Sequence, residues 1–211
     1  MERWPLREPF SIARGSKTEA VVVVVTLEAD GHQGRGECVP YARYGESLDS
    51  VEAQIAGLPE TFTRADLPGL LEPGAARNAV DCALFDLHCK ERGIRAWDLA
   101  GRDEPAPSVT VETVVIDSPD AMREAARACA HRPILKVKLD AEQVVERMRA
   151  VREGAPQSRL VVDANEAWDE NTIVDLLRAA AEMHIALIEQ PLPAGQDAIL
   201  RDIPHPVPIC A

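Results

Sequence analysis

The pattern of apolar and polar positions changes about halfway along the chain. The first part opens with an apolar run over residues 20–27, and a second β-rich stretch follows the Asp30-Gly31 pair. An Asp-Gly pair between two strands is typical of a tight β-hairpin. Two patterns with helical spacing come next, the first with Ser47 as its candidate N-cap. Strands followed by helices favour a small α+β domain, which we place at residues 1–103.

From residue 104 onward, short apolar runs alternate with helical patterns. One helix is predicted to begin at Ser118 as N-cap, with Pro119 in its first turn. The predicted strands are the runs SVTVETVVI, ILKVKL, RLVVD, IALIEQPL and PVPICA. Alternating strands and helices favour a parallel sheet. We therefore predict that residues 104–211 form part of an α/β (β/α) barrel, with strands 1–4 complete and the start of strand 5.

Charged side chains occur where three of these predicted strands end. Lys138 and Asp163 are 25 residues apart, and Asp163 and Glu189 are 26 residues apart. Polar residues at the C-terminal ends of successive strands are typical of a (β/α)₈ barrel active site. A doubly wound sheet is the competing architecture, but it normally carries a glycine-rich first turn, and none of these turns is glycine-rich.

The run ILKVKLD directs two lysines to one side of a strand. Side chains alternate along a strand, so Lys136 and Lys138 share a face. Two like charges about 7 Å apart repel by roughly 2.4 kcal/mol at an effective dielectric near 20, which lowers the pKa of one lysine. A lysine with a lowered pKa can act as a general base. Alternatively, the lysines only form salt bridges with Asp163 and Glu189. The two carboxylates are also suited to bind a Mg²⁺ ion, which would reduce their mutual repulsion.

The composition excludes several classes of function. The formal net charge of −12 and the absence of a basic stripe argue against nucleic-acid binding. The five cysteines are scattered without a C-x-x-C pair, which argues against disulfides and a zinc site and favours a cytoplasmic protein. The longest apolar run is far shorter than the ~20 residues that span a bilayer, so no membrane association is expected.

Five sequence motifs resemble those of a known family. They are KVK (K-x-K), DAN (D-x-N), EQP (E-x-P), and the N-terminal stretches IARGSKTEAVVVVV and GRGECVPYARYGES. The chain resembles the enolase superfamily, in its muconate-lactonizing-enzyme subgroup, and most of all the dipeptide epimerases of the L-Ala-D/L-Glu type. The resemblance implies a Mg²⁺-dependent isomerase that exchanges the proton on the carbon α to a carboxylate of a small dipeptide.

The resemblance also implies roles for the residues at the strand ends. Lys138 would be one of two acid/base lysines, and Lys136 would orient the substrate carboxylate and tune its neighbour. Asp163 and Glu189 would be metal ligands, with Asn165 in support.

Substrate binding would involve both predicted domains. Thr113, near the end of the first barrel strand, matches a substrate-contacting position. The N-terminal domain would cap the barrel, and its loops Ala13–Lys17 and Val39–Glu46 would select the substrate. The side chains expected to recognise it are those of Arg14, Arg43 and Tyr44.

The chain departs from the family pattern at its end. In the family, the strand that begins PVPICA leads into a third metal ligand, whereas this sequence ends at Ala211, so we expect an incomplete copy of the barrel. An N-acylamino acid racemase and a muconate-type cycloisomerase are the alternatives within the superfamily. A catalytically inert half-barrel that acts in assembly is the alternative of another class. A full-length member is expected to be a homo-oligomer.

Overall fold

The chain folds into two compact units in a computed structural model that describes residues 1–12 and 15–211. The first unit comprises Met1–Arg7 and Thr18–Pro107, and the second comprises Glu8–Lys17 and Ser108–Ala211. The elements up to residue 107 are β1 (Glu2–Ile12), β2 (Gly15–Ala29), β3 (His32–Cys38), a 3₁₀ turn (Ala42–Tyr44), α1 (Leu48–Ala56), α2 (Leu67–Leu70), α3 (Ala75–Arg92) and α4 (Ala96–Leu99). The later elements are β4 (Glu112–Val114), α5 (Pro119–Ala128), β5 (Ile134–Lys138), α6 (Val144–Gly154), β6 (Arg159–Asp163), α7 (Ile173–Glu182), β7 (Ile185–Glu189), a 3₁₀ turn (Asp197–Arg201) and β8 (Ile209–Cys210).

The predicted hairpin is confirmed. β2 and β3 pair antiparallel from Val23 opposite Cys38 to Ala29 opposite His32. At the connection, Asp30 and Gly31 both have positive φ, 48° and 78°, as the two central residues of a type I′ turn require.

Strand β1 has no counterpart among the predicted elements, the first of which is the apolar run over residues 20–27. The strand carries Pro5 and Pro9, and it lies at the edge of the sheet, whose order is β1-β2-β3. An edge strand tolerates proline because a missing N–H there need not remove a bond between two interior strands. The edge position therefore explains how a sequence with two prolines forms a strand.

Helix α3 packs closely on β3 because small residues face each other. Gly34 and Gly36 are buried on β3, and Ala79 and Ala83 are fully buried on α3. A methyl group added to Gly36 would lie 2.1 Å from the carbonyl oxygen of Ala79. The core of this unit also includes Val51, and Ser47 caps α1 through a reciprocal capping box with Ser50, as its sequence predicts.

An ion pair on the outer side of α3 makes the stability of the first unit depend on pH. The guanidinium of Arg64 donates to both carboxylate oxygens of Asp81, at 2.5 and 2.9 Å. These hydrogen bonds hold the pKa of Asp81 below its ordinary value. A carboxyl group whose pKa is lowered by folding contributes stability above its unfolded pKa of about 3.9, and the contribution is lost as the pH falls through the lowered value.

We therefore expect the Asp81→Asn variant to lose less stability on acidification than the wild type does. Because both side chains are partly exposed, the pair contributes about 0.5–1 kcal/mol at pH 7. The measurement is urea denaturation of both proteins at pH 7 and pH 3. Identical changes in the two proteins would contradict this prediction.

The second unit is built on a parallel sheet, as predicted. Its strand order is β4-β5-β6-β7-β8, and each neighbouring pair is parallel. Helices α5, α6 and α7 connect the first four strands, and Leu135, Val137, Met122 and Met148 belong to the apolar core of this unit. The predicted strand over residues 108–116 is shorter in the structure, because only Glu112–Val114 pairs with a neighbour while Val109 stays exposed.

Candidate active site

Three predicted site residues lie in register at one edge of the parallel sheet. Lys138 is paired with Asp163, and Asp163 is paired with Glu189, on the successive strands β5, β6 and β7. We call Lys138, Asp163 and Glu189 the strand-end row. Neighbouring strands are about 4.8 Å apart, so the row brings its three charged groups together. Thr113 is paired with Lys136 two positions before the end of β5.

The two lysines and the two carboxylates form a compact ion-paired cluster. The Nζ atom of Lys136 lies 2.6 Å from Glu189 Oε2 and 2.9 Å from Asp163 Oδ2. The Nζ atom of Lys138 lies 2.5 Å from the same Asp163 Oδ2 and donates to Asn165 Oδ1 at 3.2 Å. Asp163 is buried, with 1% of its surface exposed. The structure thus gathers the lysines, carboxylates and supporting asparagine that the sequence singled out.

The carboxylates change the expected electrostatics of the lysine pair. Burial alone would lower the pKa of Lys136, but its hydrogen bonds to Glu189 and Asp163 outweigh burial, so the pKa is raised. Burial likewise acts to raise the pKa of Asp163, and the hydrogen bonds from both lysines reverse that effect and lower it. The sequence analysis considered only the repulsion between the two lysines. At Lys136 the attraction to the two carboxylates is stronger than that repulsion.

The backbone after each strand holds the row in place. Asn165 and Gln190 follow β6 and β7 with positive φ, 49° and 43°, a conformation that costs energy outside glycine and often occurs at functional sites. The backbone N–H of Asn165 donates to Asp163 Oδ1 at 2.9 Å. The backbone N–H of Gln190 donates to the carbonyl of Cys210 at 2.7 Å. The first of these bonds fixes the direction of the Asp163 carboxylate, and the second continues the pairing of the sheet just beyond β7.

The cluster has the chemistry of a site for a hard cation. The ammonium group of Lys136 lies between Asp163 and Glu189 and is itself a cation held by two carboxylates on neighbouring strands. Carboxylate and amide oxygens are the donors that Mg²⁺ prefers, so these residues fit a divalent ion. Within residues 1–12 and 15–211, no group of three or more His, Cys, Asp and Glu side chains is placed to hold a metal.

The predicted recognition residues of the first unit lie on its 3₁₀ turn. Arg43 and Tyr44 are exposed there, and the ring of Tyr44 contacts that of Tyr41 edge to face, with centroids 5.6 Å apart. Arg14 and Ala13 lie outside the described residues, so the loop Ala13–Lys17 is described only in part. The roles of these residues in binding substrate stay predictions.

Glu46 anchors the loop Val39–Glu46, and the sequence analysis missed this role. One carboxylate oxygen accepts from the backbone N–H of Tyr41 at 3.0 Å, and the other accepts from that of Ala75 at 2.6 Å. Ala75 is the first residue of α3, where a negative charge also favours the helix dipole. Both donors are backbone groups, so no pattern of side chains in the sequence reveals the contact.

Comparison with known proteins connects both units to one family. Residues 1–101 match the N-terminal domain of the mandelate racemase / muconate lactonizing enzyme family. Residues 120–211 match the enolase C-terminal domain-like family. The chain is 48% identical over 216 aligned positions to L-Ala-D/L-Glu epimerase of Escherichia coli strain K12, and the match covers 100% of this chain and 67% of the relative.

Two solved structures share the fold. One is an enolase family member from Agrobacterium tumefaciens with homology to dipeptide epimerases and with bound sodium and L-Ala-L-Glu (TM-score 0.96, 46% identity, 100% of this chain, 66% of that chain). The other is a dipeptide epimerase from Cytophaga hutchinsonii complexed with Mg and D-Ala-L-Val (TM-score 0.88, 29% identity, 99% of this chain, 61% of that chain). The chain thus spans about two thirds of the length of the proteins it resembles.

Proposed function

The chain belongs to the enolase superfamily, with the N-terminal domain of the mandelate racemase and muconate lactonizing enzyme family, and from this membership we propose that it carries the site of a Mg²⁺-dependent dipeptide epimerase. The proposed reaction exchanges the proton on the carbon α to a carboxylate in dipeptides of the L-Ala-D/L-Glu type. The observation that supports it best is the strand-end row, which sets Lys138 beside Asp163 and Asp163 beside Glu189, two carboxylates that suit a cation.

Each residue of the cluster has a part in the proposed mechanism. Lys138 exchanges the α-proton at Nζ on one face of the substrate. Asn165 directs that nitrogen through the hydrogen bond to its amide oxygen. Inversion at the α-carbon also requires an acid/base group on the opposite face, the role that the family resemblance assigns to the second of its two acid/base lysines. Asp163 and Glu189 would hold the ion, and Lys136, whose ammonium group lies between them, would bind the substrate carboxylate. When bound, Mg²⁺ supplies positive charge that stabilises the negative charge developing on that carboxylate.

The proposal is tested by deuterium incorporation at the α-carbon. L-Ala-L-Glu, L-Ala-D-Glu and N-acetylglutamate are incubated in D₂O with Mg²⁺ and followed by NMR. We expect exchange at the glutamate α-carbon of the dipeptides. Exchange with N-acetylglutamate alone would favour an N-acylamino acid racemase, and a cycloisomerase would exchange none of the three. The chain is assayed alone and fused to the portion of the E. coli relative that the match does not cover.

Loss of one predicted ligand is expected to weaken metal binding. Asp163→Asn removes a negative charge that is almost fully buried, so we expect Mg²⁺ affinity, measured by calorimetry, to fall at least about tenfold. Asp175→Asn is the matched control, because Asp175 is exposed on α7 and pairs with the nearby Arg178. Equal affinity in the wild type and Asp163→Asn would contradict the assignment of Asp163 as a ligand.

The open sheet favours a second candidate, an assembly role. Strands β4 and β8 form the two edges of the parallel sheet in the part of the chain that the structure describes. An unpaired edge exposes backbone groups that can pair with a second copy. Light scattering distinguishes the two candidates: a stable oligomer without α-proton exchange in any form of the protein would favour assembly.

None of the five cysteines forms a disulfide, and no helix among residues 1–12 and 15–211 has both the length and the apolar character needed to cross a membrane. The cytoplasmic location stays a prediction.

A further inference from the structure

We propose that Arg147 is the positioning residue for the strand-end row, and that it acts by tying together the loops that follow the strands of the site. This inference rests on the proposed function for its catalytic consequence. Its structural basis does not depend on that function, since it consists of hydrogen bonds observed in the structure. All of them lie within the second unit.

The side chain of Arg147 reaches two of these loops from the first turns of α6. It is buried, with 7% of its surface exposed. Its Nε donates to the carbonyl of Asp117, in the loop after β4, at 2.9 Å. Its Nη1 lies 2.5 Å from Asp140 Oδ1 and donates to the carbonyl of Glu142 at 2.8 Å, both in the loop after β5. A single guanidinium therefore fixes the loop that begins immediately after Lys138.

Trp168 continues the connection to the next two loops. It lies in the loop after β6, and its indole N–H donates to the carbonyl of Asp140 at 3.1 Å. Its backbone N–H donates to the carbonyl of Pro191, in the loop after β7, at 3.0 Å. The ring is buried, with 2% of its surface exposed. The loops after β4, β5, β6 and β7 are thus joined in sequence, with Arg147 binding the first two and Trp168 linking the others.

The energetics favour a local role for this network. A buried guanidinium costs free energy unless its donors are satisfied, and here two carbonyls and one carboxylate accept from Nε and Nη1. Removing it would leave the Asp140 carboxylate and the Asp117 carbonyl without this donor, so the loops would rearrange next to the site. A displacement of about 1 Å at a reacting group can reduce a rate roughly 100-fold. A loop-bracing arginine at this end of the sheet therefore influences catalysis without touching substrate.

Helix α6 supplies a matched control at the opposite ends of the strands. Arg152 lies on the same helix and donates to the carbonyls of Met183, Ser158 and His184, at 3.0, 2.8 and 3.0 Å. Ser158 and His184 directly precede β6 and β7. Arg152 thus braces the loops that enter the strands, whereas Arg147 braces the loops that leave them.

The test is amide hydrogen exchange, followed by mass spectrometry, on the 211-residue chain and its Arg147→Met and Arg152→Met variants. Arg147→Met is expected to speed exchange roughly tenfold or more at residues 138–142 and 164–168, with little change at 157–160. Arg152→Met is expected to speed exchange at residues 157–160, with little change at 138–142 and 164–168. Trp168→Phe keeps an aromatic ring but removes the bond to Asp140, so a smaller increase is expected over 138–142 and 164–168. It also provides the test if Arg147→Met does not fold.

Activity gives the second measurement. Arg147→Met should lower kcat for α-proton exchange about tenfold or more, with little change in KM. Arg147→Lys should recover part of the lost kcat. Arg152→Met should leave kcat near the wild-type value. Uniformly faster amide exchange across the unit, or an equal loss of kcat in both methionine variants, would overturn the inference. Absence of α-proton exchange in the wild type would instead count against the proposed function, and the amide exchange pattern would still decide the role of Arg147.

Discussion

Replacing Lys138 by arginine is expected to reduce α-proton exchange about 10²–10⁴-fold, the range that a general acid–base group contributes. Arginine keeps the positive charge opposite Asp163, which lies 2.5 Å from Lys138 Nζ. It cannot act as a base, because its guanidinium stays protonated at any working pH. The substitution therefore separates the proton-transfer role of Lys138 from its role as the partner of a buried carboxylate.

The measurement is the rate of deuterium incorporation into the dipeptide at saturating Mg²⁺. It is made in the chain alone or in its fusion to the E. coli portion, whichever exchanges the α-proton when Lys138 is unchanged. Circular dichroism and the Mg²⁺ affinity serve as controls, and both are expected to stay close to the wild-type values. Lys90→Arg is the matched substitution, because Lys90 is exposed and pairs with Asp86 in the first unit. If Lys138→Arg retains most of the activity, the lysine serves only the salt bridge and the proposed base lies elsewhere.

The strand-end row could be predicted from the sequence because a parallel sheet imposes a simple rule. Each strand ends at the same edge, so charged residues spaced by one strand and one helix meet there. That rule brought Lys138, Asp163 and Glu189 together, and the structure has them in register. Alternation along β5 also placed Lys136 on the face of Lys138, and both contact Asp163.

Other features depend on contacts that the sequence does not display. Local pattern alone predicted a strand from residue 108, yet a strand forms only where a neighbour pairs with it, from Glu112. Strand β1 was not predicted; it contains two prolines, which its position at the edge of the sheet tolerates. Arg147 and Glu46 bind mainly backbone groups, including those of Asp117 and Ala75, 30 and 29 residues away, and such partners leave no mark in the pattern of side chains.

Replacing Gly36 by alanine is expected to destabilise the first unit by about 3 kcal/mol or more, at the upper end of the range for overpacked cores. The new methyl group would lie 2.1 Å from the carbonyl oxygen of Ala79 and 2.6 Å from the backbone nitrogen of Ala83. Both obstacles belong to the backbone of α3, so no side-chain rotation relieves the clash. The helix must instead move away from β3, and the apolar contacts between the two elements loosen together.

Urea denaturation, with amide exchange over residues 32–38 and 75–92 to locate the change, measures this effect. Gly69→Ala is the matched control: no atom lies within 4 Å of the added methyl group, and this change in α2 is expected to be neutral or to stabilise by about 0.4–1 kcal/mol. Gly34→Ala should resemble Gly36→Ala, since its methyl group would lie 2.2 Å from the Ala83 carbonyl oxygen. If Gly36→Ala unfolds at the same urea concentration as Gly69→Ala, the close packing of α3 on β3 does not require glycine. A large difference between them would show that the interface, rather than the loss of glycine as such, sets the stability of this unit.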